Sequence, residues 1–245
     1  MSLRKTFATA RRVLSQLRHD PRTIGLVIFA PVLLITILKY VFQGEPQIFD
    51  AVAPMMLGIF PLLMMFLITS VAMLRERTTG TLDRLMTEPM SKFDLVFGYA
   101  LAFSFFALVQ GAVVSYVTLG LLGVTVMGGT LPILLAVVLA ALLGIALGLF
   151  VSAFATSEFQ AVQLVIPTIF PQVLVCGLFV PRDHMAKLLQ WPADVFPITY
   201  STDAMKQVAL HAMWPSALTR DLLVVFAYAI VALALGSITI RRREG

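Results

Sequence analysis

The sequence predicts an all-α integral membrane fold: six transmembrane helices, an N-terminal interfacial amphipathic helix before the first, and short outer re-entrant helices before the last. Three observations predict it. The 245 residues are 59% hydrophobic and only 13% charged, with a mean hydropathy of +0.93, whereas soluble domains carry about 25% charged residues. The apolar residues come in long runs, each able to supply the about 20 residues that cross roughly 30 Å of hydrocarbon, and not in the period-two alternation of a barrel. The basic residues gather at the ends of those runs. A net charge of +5 and a pI near 9.7 would suit nucleic acid in a soluble chain. Here the placement assigns the charge to membrane topology and leaves no nucleic-acid partner. With no repeat and no low-complexity segment, residues 1–245 read as a single transmembrane domain.

The elements follow in order. Leu3, Phe7, Ala10, Leu14 and Leu17 recur every three or four residues, with Arg4, Lys5, Arg11 and Arg12 largely off that stripe. Residues 1–22 are therefore expected as a basic amphipathic helix lying against membrane lipids at the inner interface. About twenty polar and basic residues precede the first apolar run, and no small-residue cleavage pattern follows it, so that run reads as an uncleaved anchor. Asp20-Pro21 breaks the helix before the first span. The joint at Arg18, Asp20 and Pro21 has two readings, a topology anchor or a lever joined to a cytoplasmic partner. The six spans are expected at about residues 23–42, 51–74, 95–127, 131–155, 159–179 and 221–240. The third is too long for an upright crossing and must tilt or begin in the interface.

Between the second and third spans lies a charged loop, residues 75–94, beginning Arg75-Glu76-Arg77-Thr78-Thr79-Gly80-Thr81-Leu82-Asp83-Arg84-Leu85. Gly80 suits a helix stop. Thr81 can cap a new short helix with Asp83 in its first turn. Leu82, Leu85 and Met86 share one face. Pro89 ends the segment, and Ser91 with Asp94 forms a capping box opening the third span. A small apolar face rimmed by charge either takes a partner or lies back on the bilayer, and the residues alone leave both readings open.

With both termini and this loop in the cytoplasm, 13 of the 18 Lys and Arg residues fall inside, as the positive-inside rule requires. Gly128–Thr130 and Thr156–Glu158 are expected as tight turns. Residues 180–220 are then extracytoplasmic; with Pro181, Pro192, Pro197, Pro215, Trp191, Tyr200 and Trp214, they read as short helices at or dipping into the outer leaflet.

Within the spans, Ala136, Ala140, Gly144, Gly148 and Ser152 repeat every four residues, and Gly144 to Gly148 is a GxxxG element expected to pack within the chain. The fifth span carries Gln160, Gln163, Pro167, Phe170, Pro171 and Gln172; its prolines should bend the helix and its amides face protein or a water-filled cavity. The second span groups Phe60, Met64 and further methionines around Pro54 and Pro61. Charge is almost absent from the span interiors, which disfavours a proton- or sodium-coupled carrier. There is no P-loop, no H-E-x-x-H and no nucleophile–base set, so the expectation is a non-catalytic subunit with no catalytic residue, no metal and no cofactor of its own. The single cysteine, Cys176, excludes an internal disulfide. His19, His184 and His211 are scattered outside the spans.

Three stretches resemble one family. Leu17-Arg18-His19-Asp20-Pro21-Arg22 is similar to a basic R-D-P lead-in to a first span. Arg75 to Leu85 is similar to an E-R-x-x-G-T-L-[ED]-x-L signature. Phe196-Pro197-Ile198-Thr199-Tyr200-Ser201-Thr202-Asp203-Ala204-Met205-Lys206 is similar to an N/F-P-x-T-Y-x-x-D-A-x-R motif before the last span. Together they resemble the ABC-2 type permeases, in particular the small bacterial drug-resistance branch typified by daunorubicin exporters. The chain departs at Lys206, where Arg is usual; the charge stays but a paired-donor fork does not.

The resemblance implies a multi-pass subunit of a bacterial cytoplasmic membrane that dimerises with a second permease copy or a paralogue. It implies two cytoplasmic ABC ATPase subunits, which bind ATP and Mg. It makes Arg75, Glu76, Arg77, Gly80, Thr81, Leu82, Asp83 and Leu85 the ATPase-coupling element. It places Phe60, Met64, Gln163, Pro167 and Phe170 on a substrate path, and Pro197, Thr199, Tyr200, Asp203 and Lys206 in an outer motif. The expected function is export of a hydrophobic or amphipathic small molecule, drug or lipid-like, driven by ATP. The alternatives are a lipid or polysaccharide exporter subunit, or a membrane scaffold that docks a cytoplasmic partner without transport.

Overall fold

The computed structural model describes residues 3–80 and 91–239, and those residues are helical with no strand among them. Helix α1 is Leu3–Arg18. Asp20 caps α2, Pro21–Val41, by accepting the Thr23 amide at 3.2 Å, with Pro21 at the first turn where its missing N–H costs nothing. Helix α3, Pro46–Thr78, has 33 residues, or about 50 Å. It is longer than a bilayer core is thick and ends at Thr79 and at Gly80 with φ 72°, a left-handed stop that favours glycine. Helix α4, Lys92–Ser115, opens with the Ser91–Asp94 capping box and runs into a π-helical turn, Tyr116–Leu121. Lys39 of α2 donates to the carbonyl of Leu122 just beyond it.

Helix α5, Thr130–Val151, closes with a 3-10 turn, Ser152–Phe154. The fifth apolar run is broken into α6, Glu158–Gln163, α7, Val165–Thr168, and α8, Phe170–Val175, as two prolines one turn apart require. A turn at Arg182–His184 leads to α9, Lys187–Val195, α10, Pro197–Leu210, and α11, Ser216–Thr239. Among the described residues six stretches are long and apolar enough to cross a membrane: α2, α3, α4 with its π turn, α5 with its 3-10 turn, the broken α6–α8 and α11.

Glycine sets the closest packing. A Cβ on Gly144 would lie 2.1 Å from the carbonyl oxygen of Leu62, and one on Gly148 2.2 Å from Thr69 Oγ1. The GxxxG face of α5 therefore packs on α3 of the same chain, around the fully buried Leu62, Met65 and Phe66. Helix α10 is buried along Ile198, Thr202 and Met205 and lies against α3, with Ser201 next to Gly58. Helix α1 lies on α4 at Gly98, where a Cβ would come 2.6 Å from Thr9 Cβ.

Four expectations change in detail. The buried face of α1 is Thr6, Thr9, Ala10 and Val13. Leu14 and Leu17 pack beside it, while Leu3 and Phe7 are exposed. The third span closes at Leu121, because the π turn ends the helix. The last helix begins at Ser216, directly after Pro215, so Asp221 lies inside it and is fully buried. Gln160 is not a buried amide, since its Oε1 accepts from the Thr156 amide and hydroxyl at 2.8 and 2.7 Å and closes the turn into α6.

Candidate functional site

Consecutive helical residues point about 100° apart, and the last turn of α3 uses that to reach three directions. Arg75 Nε and Nη2 donate to the two carboxylate oxygens of Glu158 at 2.6 and 3.0 Å, reaching the start of α6. Both partners are more than half exposed, so this pair contributes at most about 1 kcal/mol. Glu76 is buried and accepts Arg12 Nη1 at 3.1 and 3.4 Å. Arg12 Nη2 donates to the hydroxyl of Tyr99 at 2.8 Å, and its guanidinium sits 5.8 Å from the centre of that ring. Tyr99 is itself buried and Arg12 is partly exposed, so α3, α1 and α4 meet in one charged, part-buried contact. Arg77 Nη1 donates at 2.6 Å to the carbonyl of Ser152, where the end of α5 carries partial negative charge. Three successive residues thus tie the end of α3 to α6, to α1 with α4, and to α5.

The remaining positions expected in this loop, Thr81, Leu82, Asp83 and Leu85, lie outside the described residues. At the joint between α1 and α2, Arg18 is exposed in the last turn of α1, where a cation suits the helix end. Asp20 accepts from the Thr23 amide and, at 2.6 Å, from its hydroxyl. Those bonds, the hydroxyl's first, hold its carboxyl below the ordinary value of 3.8.

The outer motif forms a clasp. Pro197 opens α10. Tyr200 donates its hydroxyl to the carbonyl of Asp194 at 2.6 Å, and Asp203 accepts Arg182 Nη2 at 2.6 Å. Lys206 Nζ donates to the carbonyl of Gly177 at 3.1 Å. Thr199 is fully buried, and its hydroxyl has no partner among the described residues. Burial pushes the Asp203 carboxyl above 3.8, against the pull of Arg182 and Lys206.

The expected path residues divide. Phe60 and Met64 are half-buried on α3, packed against the core. Gln163, Pro167 and Phe170 are exposed on α6 to α8. None of the five lines the cavity of about 560 Å³ at the base of the loop, bounded by α1, α3, α4 and the start of α2, with Leu67, Val71 and Phe103 on its apolar wall and Asp20 and Glu76 at its polar end. Among the described residues no group of three His, Cys, Asp or Glu is placed to hold a metal.

Sequence reasoning missed Arg12, Tyr99 and Glu158 as partners of the loop base. None of the three carried a signal of these contacts, because the bonded partners lie 64 or more positions apart along the chain.

Two kinds of similarity fit this geometry. Residues 4–210 match the family model described as ABC-2 type transporter. ABC transporter G family member 20 of Dictyostelium discoideum is 28% identical over 172 residues, 69% of this chain and 24% of its own length. Probable multidrug ABC transporter permease YbhR of Escherichia coli (strain K12) is 24% identical over 173 residues, 67% of this chain and 47% of its own. Inner membrane transport permease YhhJ of the same organism is 25% identical over 158 residues, 62% of this chain and 42% of its own. The chain spans less than half the length of each of these relatives. With six stretches able to cross a membrane and a family model covering most of its length, this multi-pass membrane chain belongs to the ABC-2 type transporter family.

Proposed function

We propose that the chain is the membrane-spanning permease subunit of an ATP-driven exporter in a bacterial cytoplasmic membrane, with both termini inside. Separate ABC ATPase subunits bind ATP and Mg and supply the work; the permease converts their movement into a change of access. The observation that carries this reading is the three-way tie at Arg75, Glu76 and Arg77. A motor holding the loop after Gly80 would pull at once on α3, on α1 with α4 through the Arg12–Glu76 contact, and on the end of α5 through Arg77. The bland reading of each bond is local helix anchoring, but anchoring alone does not require all three to converge on one turn.

A second permease copy or a paralogue would cover the exposed face bearing Gln163, Pro167 and Phe170, setting it with Phe60 and Met64 on a shared path. The scarcity of charge in the spans favours a hydrophobic or amphipathic small molecule. The description of YbhR as a probable multidrug permease supports drug-like cargo. Reconstituted with its ATPase in proteoliposomes, the wild type is expected to move such a compound only with ATP. Gly80→Pro and Glu76→Arg are expected to insert normally and lose that flux. Normal flux in both variants, or flux without ATP, contradicts the reading.

A further inference from the structure

The cavity beside the end of α3 is lined by both apolar and charged side chains. Its volume of about 560 Å³ lies within the about 300–1,000 Å³ of small-molecule sites. Leu67, Val71 and Phe103 give it an apolar wall, and Gln16, Asp20 and Glu76 a polar end. The two carboxylates are not equivalent. Glu76 is answered by Arg12 at 3.1 Å. Asp20 receives only the amide and hydroxyl of Thr23, and among the described residues no cation comes within ion-pair distance of it. A carboxylate can accept about four hydrogen bonds, so two of its positions stay open at the mouth of an apolar chamber. The bland role of Asp20 is the cap of α2, and that role uses only the Thr23 side of the carboxylate.

We propose that this cavity receives cationic amphipaths, with the ammonium group on Asp20 and the hydrocarbon along Leu67, Val71 and Phe103. The inference rests on the exporter reading for its direction, since it makes the cavity the place where cargo is collected at the inner leaflet. Arg75 also lines the cavity, but both its donors on that side are held by Glu158, so it does not neutralise Asp20 by contact. An anionic amphipath meets the Asp20 carboxylate, which no cation contacts among the described residues, and is disfavoured. Binding occurs next to the Arg12–Glu76 contact, so occupancy bears directly on the elements that the loop would move.

The test uses the full chain in phosphatidylcholine nanodiscs, with Cys176→Ala and a reporter at the wall, Ala72→Cys, or Leu67→Cys should the first react poorly. The rate of maleimide labelling is measured with N,N-dimethyldodecylammonium, whose N–H can donate to the carboxylate, and with uncharged dodecanol. The amine is expected to protect the reporter at about tenfold lower concentration than the alcohol, and Asp20→Asn, which can still cap α2, is expected to erase that preference. Equal protection by the two probes, no protection at either reporter, or an unchanged preference in Asp20→Asn overturns the proposal. Selective protection without ATP-dependent flux in proteoliposomes would leave this site standing and remove the exporter reading; flux without selective protection would do the reverse.

Discussion

Glu76 is the residue on which the loop base turns, because it is the buried member of the set and its partner lies 64 positions away. Removing one side of a part-buried ion pair leaves the other with less compensation, so Glu76→Ala and Arg12→Ala are each expected to cost about 1–3 kcal/mol. The double variant is expected to cost less than the sum of the two. Thermal unfolding of the detergent-purified variants as a double-mutant cycle measures this, and strict additivity would show that the pair carries no coupling. Asp203 gives a prediction with a sign in pH. Its folded-state pKa is raised by burial, so the folded form holds the proton more tightly than the unfolded form. The stability this provides is complete below the unfolded value near 3.8 and is lost as pH rises through the folded value. Wild type is therefore expected to lose stability relative to Asp203→Asn as pH rises through that acid window. Parallel pH profiles for the two proteins would contradict it. The sequence made Glu76 and Asp203 visible through short motifs but not their partners Arg12 and Arg182, because a motif records neighbours along the chain and an ion pair records neighbours in space.

At the scale of elements, the seam between α3 and α5 is set by glycine. A methyl group on Gly144 would stand 2.1 Å from a backbone oxygen of α3, which cannot move aside as a flexible side chain does. Gly144→Ala is expected to destabilise the bundle by about 1–3 kcal/mol, read as a lower unfolding temperature in detergent; an unchanged temperature would mean that the two helices do not pack this closely. Gly98→Ala tests the docking of α1 on α4 in the same way, since the added carbon meets Thr9 Cβ at 2.6 Å. It is expected to lose ATP-dependent transport while the spans still insert, and full transport would remove α1 from the coupling route. The helices themselves were legible because caps, prolines and apolar runs are local signals: Asp20-Pro21, the Ser91–Asp94 box, Gly80 and the two prolines of the fifth run each act where expected. The face that α1 buries was not legible. Thr6 and Thr9 are polar by composition yet are buried, Thr9 against Gly98 of α4, while the exposed Leu3 and Phe7 stay free to meet lipid as expected. The last span begins earlier than expected: Asp221, near which its start was expected, lies inside α11, fully buried and paired with Arg220.

For the whole molecule, the end of α3 is tied to α6, to α1 with α4, and to α5, so under the proposed function one pull at that end would reach most of the bundle. The contacts at Arg75, Glu76 and Arg77 gather at one end of α3, while Thr81, Leu82, Asp83 and Leu85 lie outside the described residues. The most direct test of the central claim is co-purification of the chain with its ATPase in lipid nanodiscs, followed by ATP hydrolysis, comparing wild type with a Glu76→Ala, Leu82→Asp variant. The account predicts a stable wild-type complex that hydrolyses ATP, and a variant that enters the membrane but loses that activity. A chain that forms no complex with any cellular ATPase, or a variant as active as wild type, would contradict it.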